Sequence, residues 1–400
     1  MKFAVQYLEG GHDWSQVTAE AARLRLRQAG ERLPINFVLV GWDIPKRLVE
    51  ACAEEAARLR ARFYRWQPLL TGDGTLQPRP AWQVVNCTGE KVAGFSGMPE
   101  FTFMCPNRPA VQEALSKHVL ALAQVGMYQG LFLDRVRFPS PTVDPFRHLA
   151  CFCPDCRRRA EAEGFDLEVA SKALRNLTAT SEGALRLVGR LLTVHPVPTD
   201  DPRLAAIDKL LDFRQASITQ FVASMAELAQ SNGLEVGLDC FSPCLTRMVG
   251  QDLGALDACS DWIKVMAYGR TFGPAGLPFE LLGLADWLAG RYGLEERTIL
   301  NGMAQAVGFD LPPNRSMLRK SGLDSAALAT EIHRGRSMGV DNLWGGIALV
   351  ELTDVNEMTA EQARSDAAAF RRGEADGLVI SWDLWHIPLE RLDWLKMTAG

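Results

Sequence analysis

Three cysteines fall within six positions in "CFCPDC", as Cys151, Cys153 and Cys156. Thiolates at that spacing form a disulfide knot, a catalytic centre or a metal clip. A C-x-C-x-x-C run supplies three sulfur donors, whereas a closed structural zinc site takes four ligands. Cys105 in "FMCPNRP" is the best-placed fourth ligand, with Cys87 and His148 as alternatives. Cys52 falls on a helical stripe, and Cys240, Cys244 and Cys259 belong to later units of the chain. A second group of chemistry-bearing residues is acidic. Asp134 sits inside the apolar run "GLFLDRVRF", where an unpaired acid is costly. It is therefore either an ion-pair partner of Arg135 or Arg137, or a functional group. Asp239 in "GLDCF", Glu351 in "GIALVEL" and Asp383 in "ISWDLW" also close apolar runs.

These acids need strands to hold them, and the sequence offers eight. The runs are Phe3 to Leu8, Ile35 to Trp42, Arg62 to Leu70 and Gly130 to Phe138. Leu234 to Phe241, Trp262 to Gly269, Leu343 to Leu352 and Gly377 to Trp385 follow. Most are nearly continuous apolar stretches, as expected of parallel strands covered on both faces. Amphipathic segments with helix start and stop signals lie between them. "DIPKRLVEACAEEAARLRA" places Asp43 as a cap and Pro45 in the first turn, with Leu48, Cys52, Ala56 and Leu59 on one stripe. "NRPAVQEALSKHVLALAQVG" begins near Pro109 and stops at Gly126, and a longer helix ends at Gly233. This alternation predicts a (β/α)₈ barrel, an α/β fold, as a single unit over residues 1–400. Insertions over 71–106 and 139–203 follow strands three and four. "RTILNGMAQAVGF" reads as a helical insertion rather than a ninth strand.

Barrel enzymes build their sites at the C-terminal ends of the strands, where these acids fall. Two carboxyl groups flanking a glycosidic bond hydrolyse it, one as proton donor and the other as nucleophile or base. Asp134, with Asp239 or Glu351 as partner, is the expected catalytic set. Trp42, Trp66, Arg137, Lys264, Tyr268, Trp382 and Asp383 are the expected substrate-binding residues, since sugar faces stack on aromatic rings and polar groups orient hydroxyls. Glu9, His12 and Asp13 in "EGGHDW", together with Gln67 and Trp385, lie near the same strand ends.

Cys105 followed by Cys151, Cys153 and Cys156 resembles the zinc cluster of the glycoside hydrolase family 42 β-galactosidases. Those enzymes also hold zinc with one upstream cysteine and a C-x-C-x-x-C in a barrel loop. "GLFLDRVRFPSP" before "CFCPDC" is similar to bacterial barrel proteins grouped with the glycoside hydrolases. "FLDRVRF" resembles the fourth strand of barrel glycosidases whose aspartate is catalytic. The resemblance implies a structural Zn²⁺ on Cys105, Cys151, Cys153 and Cys156, and an oligosaccharide or glycoside substrate. Family 42 carries an Asn-Glu pair on strand four; this chain has none there.

A net charge of −5 provides no basic face for nucleic acid. No apolar run is long enough to span a membrane. No export signal is visible, and nine cysteines with three of them clustered suit a reducing, cytoplasmic setting. No G-x-G-x-x-G follows the first strand, and no G-x-x-x-x-G-K-[ST], H-E-x-x-H or G-x-S-x-G occurs. Six histidines are few for a multi-histidine metal centre. Two rival readings are a non-catalytic carbohydrate-binding barrel and a lyase or aldolase, in which Lys264 forms a Schiff base if its pKa is depressed.

Overall fold

In the computed structural model, which describes residues 1–95 and 97–398, eight parallel strands close into a barrel. They are β1 (Lys2–Tyr7), β2 (Ile35–Val40), β3 (Arg62–Pro68), β4 (Gly130–Asp134), β5 (Glu235–Phe241), β6 (Trp262–Met266), β7 (Leu343–Ala348) and β8 (Gly377–Ser381). β1 closes the ring by pairing with β8, with Ala4 opposite Val379. All eight expected strands are present, and "RTILNGMAQAVGF" is helical over Glu296–Val307. Most expected strands run too far at their C-terminal ends. β4 stops at Asp134 because Arg135 takes a left-handed conformation, φ 54°. β7 stops at Ala348, which leaves Glu351 in the following loop. Asp43 does not cap its helix: it too is left-handed, φ 53°, and the helix Lys46–Arg58 starts after Pro45.

Side chains alternate between the barrel interior and the helical shell. The interior floor is aromatic: Phe37, Tyr64, Trp66, Phe132, Trp262 and Trp344 form one cluster separate from the outer core. Phe132 and Trp262 stack at 4.9 Å between centroids. Large rings fit there because the neighbouring strand supplies glycine. A Cβ on Gly237 would lie 2.3 Å from the Trp262 ring, and one on Gly377 would lie 2.4 Å from Trp344. Two residues further along each strand, the next inward layer is polar: Asp134 follows Phe132, Asp239 follows Gly237, and Lys264 follows Trp262. The floor therefore seals one end of the barrel, and the charges lie above it.

Outside, the stripe Leu48, Cys52 and Ala56 is buried as expected. The insertion after β3 is held by isolated antiparallel bridges, including Gln83 with Met104 and Val85 with Lys91. The insertion after β4 adds helices, among them Pro154–Ala162, Leu167–Leu177 and Ser181–Leu192. Among the described residues no helix is long and apolar enough to cross a membrane.

The floor is tight enough to give a test. Gly237→Ala should lower stability by about 2 kcal/mol through overpacking against Trp262, seen as an earlier urea midpoint. An unchanged midpoint would show that the ring can move aside.

Candidate active site and metal centre

The strand ends open into a cavity of about 580 Å³. Its walls include Trp42, Trp66, Phe101, Tyr268 and Trp382, and its acids are Glu9, Asp43, Glu100, Asp134 and Asp239. Of the residues expected from sequence, Asp134, Asp239, Trp42, Trp66, Arg137, Tyr268 and Trp382 line it together. Three do not. Glu351 lies outside, its exposed carboxylate paired with Arg391 at 3.0 Å. Its apolar run had suggested a strand end, but the strand finishes three residues earlier. Lys264 is fully buried below the cavity, and Asp383 is buried behind its wall.

Asp134 ends β4 and is fixed by two N–H donors. Trp66 Nε1 donates to Oδ2 at 3.0 Å, and the Arg135 backbone N–H donates to Oδ1 at 2.5 Å. Asp239 stands beside it. Leu133 pairs with Leu238 in the last register pair of β4 and β5, so the next residue on each strand is an aspartate. Lys264 Nζ donates to Asp239 Oδ2 at 2.9 Å and to Gln6 Oε1 at 3.3 Å. Burial pushes the Asp239 carboxyl up to about 7 against the pull of Lys264, and the negative charge of Asp134 adds to the rise. Burial by itself would lower the Lys264 ammonium, but Asp239 and Tyr268 more than reverse this and its pKa is raised. Tyr268 donates to Ser381 Oγ at 2.9 Å, and Ser381 donates to Gln6 Oε1 at 2.5 Å. One hydrogen-bonded set thus joins β1, β5, β6 and β8 below the mouth.

Glu9 was legible only as a neighbour of the site, yet it reaches into the cavity. Its loop is held by Asp383, which accepts the N–H groups of Leu8 at 2.8 Å and Glu9 at 3.1 Å, and contacts His12 Nε2 at 2.6 Å. That hydrogen bond, with Asp383 nearby, raises the His12 pKa despite burial. Burial, followed by repulsion from Asp383, pushes the Glu9 carboxyl up to about 7. Asp13 is exposed and caps a short turn through the Ser15 N–H. Arg137 lies between the Phe103 and Phe241 rings, 4.6 and 4.4 Å from their centroids. Burial lowers it to about 10, with the negative charge of Glu280 the main opposing influence. Glu280 is itself fully buried and accepts hydrogen bonds from Ser140, Thr142 and the Ala275 N–H, which ties the loop after β4 to the loop after β6.

Beside the mouth, Cys105, Cys151, Cys153 and Cys156 are buried with their sulfurs all within 4.8 Å of one another. Cys105 Sγ is 3.4 Å from Cys156 Sγ and 3.7 Å from Cys153 Sγ. A tetrahedral ion bound at 2.3 Å would hold sulfurs roughly 3.8 Å apart, so this cluster can hold a metal ion. The Val85 N–H and Asn107 Nδ2 each donate to a cluster sulfur at 3.3 Å. His148 turns to the Asp144 carbonyl and Cys87 to the Phe146 carbonyl, so neither competes with Cys105.

Neither a protein-family model nor a curated protein sequence matches the chain. Solved structures do. The glycoside hydrolase domain of PgaB (BpsB) from Bordetella bronchiseptica is 13% identical, with TM-score 0.52 over 98% of this chain and 94% of that one. A β-galactosidase from the psychrophilic Marinomonas ef1 is 13% identical, with TM-score 0.57. The match covers all of this chain but 59% of the galactosidase. The β-amylase catalytic domain from Paenibacillus polymyxa is 10% identical, with TM-score 0.51 over 100% of this chain and 97% of that one. What they share with this protein is the barrel. At such identities the likeness establishes the fold, and the chemistry must be argued from the side chains.

The Glu9 carboxyl provides a test of this electrostatic picture. Its folded pKa, about 7, lies above the ordinary glutamate value of 4.5, so the native state holds the proton more tightly. Its contribution is full below pH 4.5 and is lost as pH rises through 7. Glu9→Gln should therefore gain about 3 kcal/mol of stability relative to the parent between pH 4.5 and 8. Urea curves at the two pH values measure the difference, and parallel shifts in both proteins would contradict it.

Proposed function

We propose that this protein is a glycoside hydrolase whose reaction takes place in the barrel mouth. The observation that carries the reading is one cavity in which Asp134, Asp239 and Glu9 meet a wall of tryptophan and tyrosine rings. Asp134 acts as nucleophile or base, since both its oxygens are oriented by N–H donors. Glu9 acts as proton donor. It holds its proton up to about pH 7, which suits a general acid at neutral pH. Asp239 keeps its place beside Asp134, but Lys264 occupies one of its oxygens, so it serves as a neighbour of Asp134 rather than the donor. The glycoside hydrolases among the structural neighbours are consistent with this chemistry.

A Schiff-base lyase is disfavoured. The reaction needs a neutral, accessible amine, whereas Lys264 has no exposed surface and its ammonium is stabilised by Asp239. The non-catalytic barrel is separated from the hydrolase by turnover. Asp134→Asn should cut hydrolysis of a glycoside by about 1,000-fold or more with an unchanged circular dichroism spectrum; undiminished hydrolysis would remove Asp134 from the mechanism. Glu9→Gln should also abolish the fall in rate above about pH 7.

The ion in the cysteine cluster is proposed to be zinc in a structural role, because four thiolates leave no open coordination position. It would clamp the insertion after β3, through Cys105, to the insertion after β4. Elemental analysis should find one zinc per chain, lost in Cys153→Ser together with protection of both insertions from proteolysis. Retention of the metal by that variant would overturn the ligand set.

A further inference from the structure

Behind the cavity wall, the turn after β8 carries a second group of metal-ligating side chains. Asp383 and His386 stand three residues apart in "DLWH", and the His386 backbone N–H donates to the Asp383 carbonyl at 2.9 Å. The loop after β1 brings His12 to the same place. One ligand atom from each of His12, Asp383 and His386 lies within 4.8 Å of the other two. The two imidazole rings are stacked, 5.0 Å apart at their centroids and 6° from parallel. Among the described residues, the only other group of this kind is the cysteine cluster.

The surroundings hold these donors in position without using them up. The Asp383 carboxylate is oriented by the N–H groups of Leu8, Glu9 and Trp385, as second-shell donors orient a metal-bound carboxylate. Its ion-pair partner among the described residues is His12, at 2.6 Å, and no lysine or arginine pairs with it. Arg25 donates to the carbonyls of Leu384 and Ile387, which pins the chain on both sides of His386. The His386 ring is exposed, and its nitrogens have no hydrogen-bond partner among the described residues.

We infer that His12, Asp383 and His386 bind a divalent transition-metal ion of the Zn²⁺ or Co²⁺ type, which fastens the loop after β1 to the turn after β8. Two imidazole nitrogens and a carboxylate oxygen are donors such ions favour, with water in the remaining position. An ion about 2.0–2.1 Å from each donor holds tetrahedral neighbours roughly 3.3 Å apart. The His12–Asp383 contact is tighter than this, and it widens as the ion replaces the proton between them. The exposed His386 ring turns in to complete the set. None of the three residues lines the cavity, so the ion lies behind the wall and steadies the loop that carries Glu9. It stands independently of the hydrolase reading. Unlike the buried, closed cysteine cluster, the site has an exposed ligand and an open position, so its ion exchanges with solvent.

The test uses Co²⁺, whose absorption spectrum reports its donors. Protein saturated with zinc and then dialysed into metal-free buffer is titrated with Co²⁺ and followed by calorimetry and visible absorption. One Co²⁺ per chain should bind with a Kd on the order of 10 µM or below. It should give d–d bands without the sulfur-to-cobalt charge-transfer band of thiolate ligation. His386→Ala removes an exposed side chain and should weaken this binding at least about 10-fold. Co²⁺ should also raise the thermal midpoint of the unaltered protein and leave that of His386→Ala where it was. Equal affinity in the two proteins, cobalt held by thiolates alone, or no binding below about 1 mM overturns the inference.

Discussion

An ammonium group with no access to water sits inside the barrel, and much of the mouth is arranged around it. Lys264 occupies the inward layer directly above the aromatic floor, where an unpaired charge would cost several kcal/mol. Asp239 on the next strand supplies the counter-charge, and Gln6 from the first strand accepts a further hydrogen bond. Gln6 in turn receives the Ser381 hydroxyl, which accepts from Tyr268. The ion pair therefore fixes side chains from four strands, and two of them, Asp239 and Tyr268, form cavity wall. It also confines Asp239 beside Asp134, so that two acids share a water-poor space. Burial and repulsion together push the Asp239 carboxyl towards neutrality there.

A second set of constraints holds the loops that roof the site. Asp383 gathers the N–H groups of Leu8, Glu9 and Trp385, so the last strand-end loop determines where the first one points. Glu280 does the same for the loops after β4 and β6. The cysteine cluster ties the insertions after β3 and β4 to one point. Arg214 lies near it, fully buried and close enough to Cys151 and Cys156 to feel their charge, with its Nε and Nη2 unpaired among the described residues. If a divalent ion were bound, the four thiolates around it would carry net negative charge, part of which Arg214 would offset.

The barrel was legible because parallel strands buried on both faces must be apolar throughout, and eight such runs alternated with helical stripes. Their C-terminal ends were not, because apolar sequence continues past the last ladder pair: "DRVRF" turns away at Arg135, and "LVEL" leaves β7 before Glu351. Asp134 and Asp239 stood out as acids in apolar surroundings, and Cys105 as the best-placed fourth thiolate, with Cys87 left as an alternative. Glu9 did not stand out. Its burial depends on Asp383, which is 374 residues away in the chain, and no local pattern encodes that contact. Lys264 and Asp383 were expected to bind substrate, but which side of the cavity wall they occupy is set by packing, and neither lines the cavity.

Cleavage of a glycosidic bond between carboxyl groups in this cavity is the function proposed for the barrel mouth, and the most direct measurement is the appearance of new reducing ends. The unaltered protein should release them from an oligosaccharide that it binds, at a rate that declines above about pH 7, where Glu9 loses its proton. An oligosaccharide that binds in the mouth yet remains intact after prolonged incubation at every pH would contradict the proposed hydrolysis, and would leave a barrel that binds sugar without acting on it.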